Sequence, residues 1–169
     1  MALKTNRRRL LVAALFASSA LCQAGDLLPE PRYAGITAGG SAAAITQIGS
    51  NNQTRVDQGG SDQRLAQSQI GNRNEALITQ NGLKNVISAQ QAGLSNVLEI
   101  NQSGSYNQAS TAQHGTNNLA NVVQSGSYNQ AFVGQYGQAN QASVNQAGIS
   151  GTVSVTQYGN NMSANVTQR

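Results

Sequence analysis

Apolar and polar side chains alternate with a period of two in short segments that recur every eleven residues from about residue 41 to residue 169. Each segment is marked by a glutamine, and the residue two places before it is Ile or Val in nine segments out of twelve. The residue four places before it is mostly Ala, Leu, Ile or Val. Successive side chains of a β-strand point to opposite faces, so these three positions share one face. The pattern predicts twelve short strands, each with one buried face.

Glutamine and glycine hold fixed places in the repeat. The glutamine column comprises Gln47, Gln58, Gln69, Gln80, Gln91, Gln102, Gln113, Gln124, Gln135, Gln146, Gln157 and Gln168. Glycine follows two places later, at Gly49, Gly60, Gly71, Gly82, Gly93, Gly104, Gly115, Gly126, Gly137, Gly148 and Gly159. Because glycine is favoured where a chain must turn, we expect a turn to begin at each of these glycines.

Asparagine stands five places after most of these glutamines. The asparagine column comprises Asn52, Asn74, Asn85, Asn96, Asn107, Asn118, Asn129 and Asn140. Gln63, Gly151 and Met162 interrupt it. The segment between each glycine and the next member of this column is rich in Gly, Ser and Asn, so it is predicted to form the turn.

Two such units, each a strand and a turn, complete a rung of about 22 residues. The chain is therefore predicted to form an all-β solenoid of about six strand–turn–strand rungs, stacked at roughly 4.8 Å and able to continue as cross-β on assembly. Its thin interior would contain Ala, Val, Ile, Gln and Asn. Amides of successive rungs can hydrogen-bond along the axis, so the Gln and Asn columns are predicted to be structural ladders.

Charged side chains avoid the predicted interior. Eight of them are interpreted as gatekeepers, which are charges that restrain aggregation: Arg55, Asp57, Asp62, Arg64, Arg73, Glu75, Lys84 and Glu99. Five have the outward parity, and Asp62, Arg73 and Lys84 fall in turns. From Ile100 to Gln168 there is no Asp, Glu, Lys or Arg. We therefore expect the C-terminal half to nucleate assembly and the N-terminal half to restrain it.

The composition of the first 24 residues is typical of a secreted protein. Residues 1–24 are predicted to be a signal peptide, because Lys4 and three arginines precede a short apolar run and small residues precede Gly25. Residues 25–40, with Pro29 and Pro31, are predicted to be a leader, and residues 41–169 form the repeat region. The repeat runs to Gln168 without a predicted cap, so the open strand edges could template another copy.

Composition argues against several function classes. The net charge of +4 comes from the predicted signal peptide, so the basic balance gives no reason to expect nucleic acid as a partner. His114 stands alone beside Gly115 in a predicted turn, and Asp57 and Asp62 resemble a solvated pair, so we expect no enzyme, cofactor, metal or small-molecule substrate. An ice-binding solenoid is a more distant alternative, since it would need an ordered outward array, often of Thr, whereas Thr is scattered here.

The segment from Ser127 to Gly137, with its Gln, Gly, Asn and apolar positions, resembles the curlin repeat, and the resemblance covers about residues 41–169. It implies a curli subunit of a Gram-negative bacterium, secreted through a dedicated outer-membrane channel with accessory factors. Such a subunit polymerises with itself and with another curlin into amyloid fibres (fimbriae) on the cell surface, in biofilm and adhesion. The resemblance also implies that residues 25–40 would carry an export-recognition segment.

The segment from Val166 to Arg169 resembles the end of the minor, nucleating curlin, whose last repeat closes with a basic residue. Six rungs exceed the five that are common in the family, and the charge-free C-terminal half is less basic than the minor subunit tends to be. We favour the nucleating subunit, and the major fibre subunit is the alternative.

Overall fold

The structure is a computed structural model that describes residues 40–169. The predicted signal peptide and all but the last residue of the predicted leader lie outside the described residues. The described chain forms twelve strands: β1 (Ala42–Ser50), β2 (Gln53–Ser61), β3 (Arg64–Asn72), β4 (Glu75–Leu83), β5 (Val86–Leu94), β6 (Val97–Ser105), β7 (Gln108–Thr116), β8 (Leu119–Ser127), β9 (Gln130–Gln138), β10 (Gln141–Ile149), β11 (Thr152–Asn160) and β12 (Ser163–Gln168). Among residues 40–169, no helix is long and apolar enough to cross a membrane.

Odd-numbered and even-numbered strands form two separate sheets of six. The odd sheet has the order β1-β3-β5-β7-β9-β11, and the even sheet runs from β2 to β12 in the same way. Every pairing is parallel and in register, so that Gln91 lies over Gln69 and Gly93 lies over Gly71. One odd strand and the following even strand make a rung, and six rungs stack along the axis. The prediction of a six-rung all-β solenoid is confirmed.

The interior lies between the two sheets and is filled by the side chains of inward parity. In the even sheet, the column two places before the glutamines is aliphatic in every rung, and Ile78, Ile100 and Val122 are at most 1% exposed. In the odd sheet, the same column contains Gln67, Ala89 and Thr111 in three successive rungs. Apolar burial therefore contributes less on the odd side of the interior than on the even side.

Each turn is shorter than the sequence indicates. Strand pairing continues through the glycine to the next residue, as at Gly71 and Asn72, so the predicted turn glycines lie within the last part of each strand. Their φ values lie between 102° and 128°. The residue just before the asparagine column then adopts a left-handed conformation, with φ between 53° and 60°. A left-handed residue costs a side chain other than Gly roughly 1–2 kcal/mol, so stacking must offset this cost at every turn.

Candidate functional site

Glutamine amides form two continuous ladders through the interior. In the odd sheet each Nε2 donates to the Oε1 of the glutamine one rung further on, from Gln47 to Gln157, and the even sheet has the same chain from Gln58 to Gln168. The N···O distances lie between 2.6 and 3.2 Å. In all these links the donor belongs to the earlier rung, so both ladders have one direction.

The glutamines also join the two sheets. Gln91 Nε2 donates to the carbonyl of Glu75 at 2.9 Å, and Gln113 Nε2 donates to the carbonyl of Val97 at 2.9 Å. Both glutamine side chains are at most 1% exposed. A buried amide without partners would cost about 1–3 kcal/mol, and the ladder supplies those partners only when successive rungs stay in register.

Asparagines bind the backbone of the turns more than they bind each other. Asn96 is representative: its Nδ2 donates to the carbonyls of Ala92 at 3.3 Å and Gly115 at 3.1 Å. Its Oδ1 accepts the backbone N–H of Asn118 at 3.1 Å. Within residues 40–169, direct contacts between two asparagine amides link only Asn52, Asn74, Asn96 and Asn118. Each asparagine thus fastens its own turn to the turn above it.

We define two turn rows. The first turn row follows the odd strands and contains Asn52, Asn74, Asn96, Asn118, Asn140 and Met162. The second turn row follows the even strands and contains Gln63, Asn85, Asn107, Asn129 and Gly151.

The three residues that interrupt the asparagine column lie at the ends of these rows. Met162 and Gly151 donate their N–H groups to Asn140 Oδ1 and Asn129 Oδ1, at 3.1 and 3.0 Å. Neither has an amide to offer to a further rung. Gln63 donates its Nε2 to the carbonyls of Gly59 and Gly82, but its buried Oε1 has no partner among residues 40–169.

The glycine column marks a close approach between rungs. A Cβ on Gly104, where φ is +103°, would overlap the carbonyl oxygen of Gly126 in the next rung. The same overlap recurs at most members of the column. Only glycine allows the backbones to stack at this bend.

The predicted gatekeepers lie outside the interior. Arg55, Asp57, Arg64, Glu75 and Glu99 are exposed on the outer faces of the sheets, and Arg73 and Lys84 are exposed in left-handed turn positions, whereas Asp62 is half-buried in a turn. Arg55 Nη2 and Asp57 Oδ2 form an ion pair at 3.2 Å. This pair is largely solvated, so it contributes little to stability.

Sequence reasoning missed two stacks of rings on the surface. Tyr106 and Tyr128 stack with ring centroids 4.9 Å apart, and the Lys84 ammonium lies 5.5 Å from the Tyr106 ring. On the odd sheet, Tyr136 stacks between His114 and Tyr158 at 5.3 and 4.8 Å. The prediction that His114 lies in a turn is wrong, because it lies in β7 with pairing continuing to Thr116. The sequence does contain a signal for these stacks, because the stacked rings are 22 residues apart, which is the length of one rung.

The outermost strands are open on one side. Within residues 40–169, β1, β2, β11 and β12 each pair with a single neighbouring strand. Their remaining N–H and C=O groups point along the solenoid axis, where another chain could add to the sheets. In this described part of the chain, no group of three or more His, Cys, Asp or Glu side chains could hold a metal ion.

The comparison with protein families agrees with this geometry. The family model of the curlin associated repeat matches residues 115–148. No curated protein matches the chain. The matched segment covers about three repeats, and the glutamine and glycine columns continue on both sides of it in the same register. The chain therefore carries the curlin associated repeat at residues 115–148, within a longer array of the same eleven-residue register.

Proposed function

We propose that this chain is a structural subunit of extracellular curli-type fibres and that it polymerises by adding its end rungs to those of other copies. The observation that carries the proposal is the pair of unidirectional glutamine ladders, which end at strands open on one side. Addition of another copy would satisfy both the backbone groups and the amides at each end, and it would bury the partly exposed side chains there.

The proposal extends to export and location, which the curlin-repeat match suggests. Residues 1–24 would direct secretion, and residues 25–40 would be recognised by the outer-membrane curli channel and its accessory factors. The chain would cross the envelope unfolded and would polymerise at the cell surface of a Gram-negative bacterium, in biofilm and adhesion. The partners are other copies of the chain and a second curlin.

Within the fibre we propose the nucleating role, with the major fibre subunit as the alternative. The three rungs that follow Glu99 lack charged side chains up to Gln168, so no charge repulsion opposes their association. In these rungs the interior column two places before the glutamines includes the buried aliphatic side chains of Val133, Val144 and Val155. Rapid ordering of such rungs would supply a template on which a slower subunit can add.

The proposal assigns the chain a structural role and no catalytic one. In the part of the chain that the structure describes, the buried polar side chains are amides and one hydroxyl, which neither donate nor accept protons readily in acid–base catalysis. The charged side chains of residues 40–169 are spread over the outer faces and the turns, and they do not converge on a cleft.

Assembly kinetics test this function. The chain without residues 1–24 is diluted from denaturant with thioflavin T, alone and as a trace additive to a major curlin. Dye-positive fibres support the structural role, and loss of the partner's lag phase at trace amounts supports nucleation. Efficient growth alone with little cross-seeding would assign the chain as the major subunit, and a soluble dye-negative monomer would contradict the proposal.

A further inference from the structure

The two ends of the solenoid are chemically different. Because every ladder link donates from the earlier to the later rung, the first rung presents the Oε1 atoms of Gln47 and Gln58. The last rung presents the Nε2 atoms of Gln157 and Gln168. Stacking in one orientation pairs donors with acceptors, whereas joining two like ends opposes donor to donor or acceptor to acceptor. End-to-end growth is therefore favoured with the last rung of one copy under the first rung of the next.

An internal rung boundary has a second set of bonds, in the turns. Asn140 shows this for the boundary between the fifth and sixth rungs. Its Oδ1 accepts the N–H of Met162 at 3.1 Å, and its Nδ2 donates to the carbonyl of Gly159 at 2.8 Å. Asn118 makes the same pair of bonds one rung earlier, to Asn140 N–H at 3.1 Å and Gly137 O at 3.1 Å.

At a boundary between two copies, the corresponding residue is Met162. In register, it would lie under the N–H of Asn52 and near the carbonyl of Gly49 in the next copy, as Asn140 lies under Met162 and near Gly159. A thioether donates no hydrogen bond and accepts only weakly. In the second turn row, the last residue is Gly151, which has no side chain to bond with the next copy.

We propose that the interface between copies is the weakest rung boundary of the fibre, because Met162 and Gly151 withhold the turn hydrogen bonds that Asn provides at internal boundaries. The inference rests on the proposed polymerisation and deepens it by naming the partner, a second copy in the same orientation, and the residues that limit its affinity. Successive copies are joined by the glutamine ladders and the strand backbones. The asparagine rows stop and start again at each interface.

The test substitutes Met162→Asn, which returns the missing acceptor and donor to the first turn row. Met162→Leu is the matched control, because it keeps a side chain of similar size without a hydrogen-bonding group. Gly151→Asn is a less direct test, since a Cβ there would lie 2.8 Å from Gln168 Oε1 and that side chain would have to move.

Fibres of the wild type, of Met162→Asn and of Met162→Leu are grown from the chain without residues 1–24. They are sedimented in a series of guanidinium concentrations. The soluble chain left at equilibrium is then measured. One to two net hydrogen bonds per interface predict a soluble concentration about tenfold lower for Met162→Asn and unchanged for Met162→Leu. Fibres of Met162→Asn with wild-type solubility would overturn the inference, and so would an equal gain in Met162→Leu. Failure of the wild type to form any fibre would instead refute the proposed function on which the inference rests.

Discussion

The side chain of Gln67 is 4% exposed and lies in an interior column that most rungs fill with Ile or Val. Its Nε2 and Oε1 have no partner among residues 40–169, and the same holds for the hydroxyl of Thr111 two rungs later. The column glutamines differ, because each has a partner in the ladder, as where Gln69 Nε2 donates to Gln91 Oε1 at 2.7 Å. At the scale of the residue, a buried amide stabilises the solenoid where the neighbouring rungs supply its hydrogen-bond partners.

Gln67→Val should stabilise the fold. The substitution removes two unsatisfied polar groups from the odd sheet and adds an apolar side chain next to Ile45 and Ala89, so the free energy of unfolding should rise by about 1–3 kcal/mol. The guanidinium midpoint for loss of β-structure measures this change. Gln90→Val is the control, because Gln90 is exposed on the outer face, and it should shift stability by less than about 0.5 kcal/mol. A lower midpoint for Gln67→Val would contradict the account.

The bend between strands is the element that sets the rung geometry. A glycine with positive φ begins the bend, a left-handed residue follows two places later, and an asparagine then binds the turn carbonyls, as in the series Gly93, Ser95 and Asn96. The left-handed position accepts Asn, Asp, Arg, Lys, Ser, Tyr and Ala. Its conformation is therefore imposed by the stacked neighbours more than by its own preference.

Two glycines of β9 give a matched test of this element. Gly137→Ala should lower the free energy of unfolding by at least about 2 kcal/mol, because φ is +125° and the new Cβ would overlap the carbonyl oxygen of Gly159. Gly134→Ala should be neutral or stabilising by up to about 1 kcal/mol. At Gly134 the nearest atom to a new Cβ is a Tyr136 ring carbon at 3.3 Å, which can shift.

Fibril growth rates and guanidinium midpoints of the two variants distinguish these effects. A slow, unstable Gly137→Ala variant beside a normal Gly134→Ala variant is the expected result. Equal behaviour of the two would show that the glycine column is not required for stacking.

The periodicity of the sequence predicted the strands, the face to which each side chain points and the number of rungs. This was possible because the inward Gln, Ile and Val residues recur every eleven residues. It did not predict the partners of the asparagines. Amide donors can bind either amides or carbonyls, and only the bend places the carbonyl of Gly115 beside Asn96. Residues that depart from the pattern, such as Gln67, carry no sequence signal for whether their polar atoms find partners. Their environment depends on the neighbouring rungs.

Charge is unevenly distributed over the whole molecule. Arg64 pairs in register with Ala42 and Val86, and Glu75 pairs with Gln53 and Val97, so these charges have no like-charged neighbour along the stack. Charges placed in this way cost the folded solenoid little. Their proposed gatekeeping effect therefore acts before folding, when unfolded chains meet.

Neutralising four exposed charges should change the kinetics of assembly more than the stability of the fold. A variant in which Arg64, Glu75, Lys84 and Glu99 are each replaced by Gln keeps the net charge and should shorten the lag phase several-fold in thioflavin-T assays. Its guanidinium midpoint should remain near that of the wild type, since these side chains are exposed. A charge-reversed variant of the same four positions should keep the long lag. An unchanged lag in the neutral variant would argue against a gatekeeping role.

Electron cryomicroscopy of fibres grown from the chain without residues 1–24 tests the central claim most directly. The account predicts a continuous parallel β-solenoid with about 22 residues per rung, a rise of about 4.8 Å and both glutamine ladders running across the interface between copies. A monomer that stays soluble, or fibres in which strands of different copies pair out of register with the glutamine columns, would contradict it.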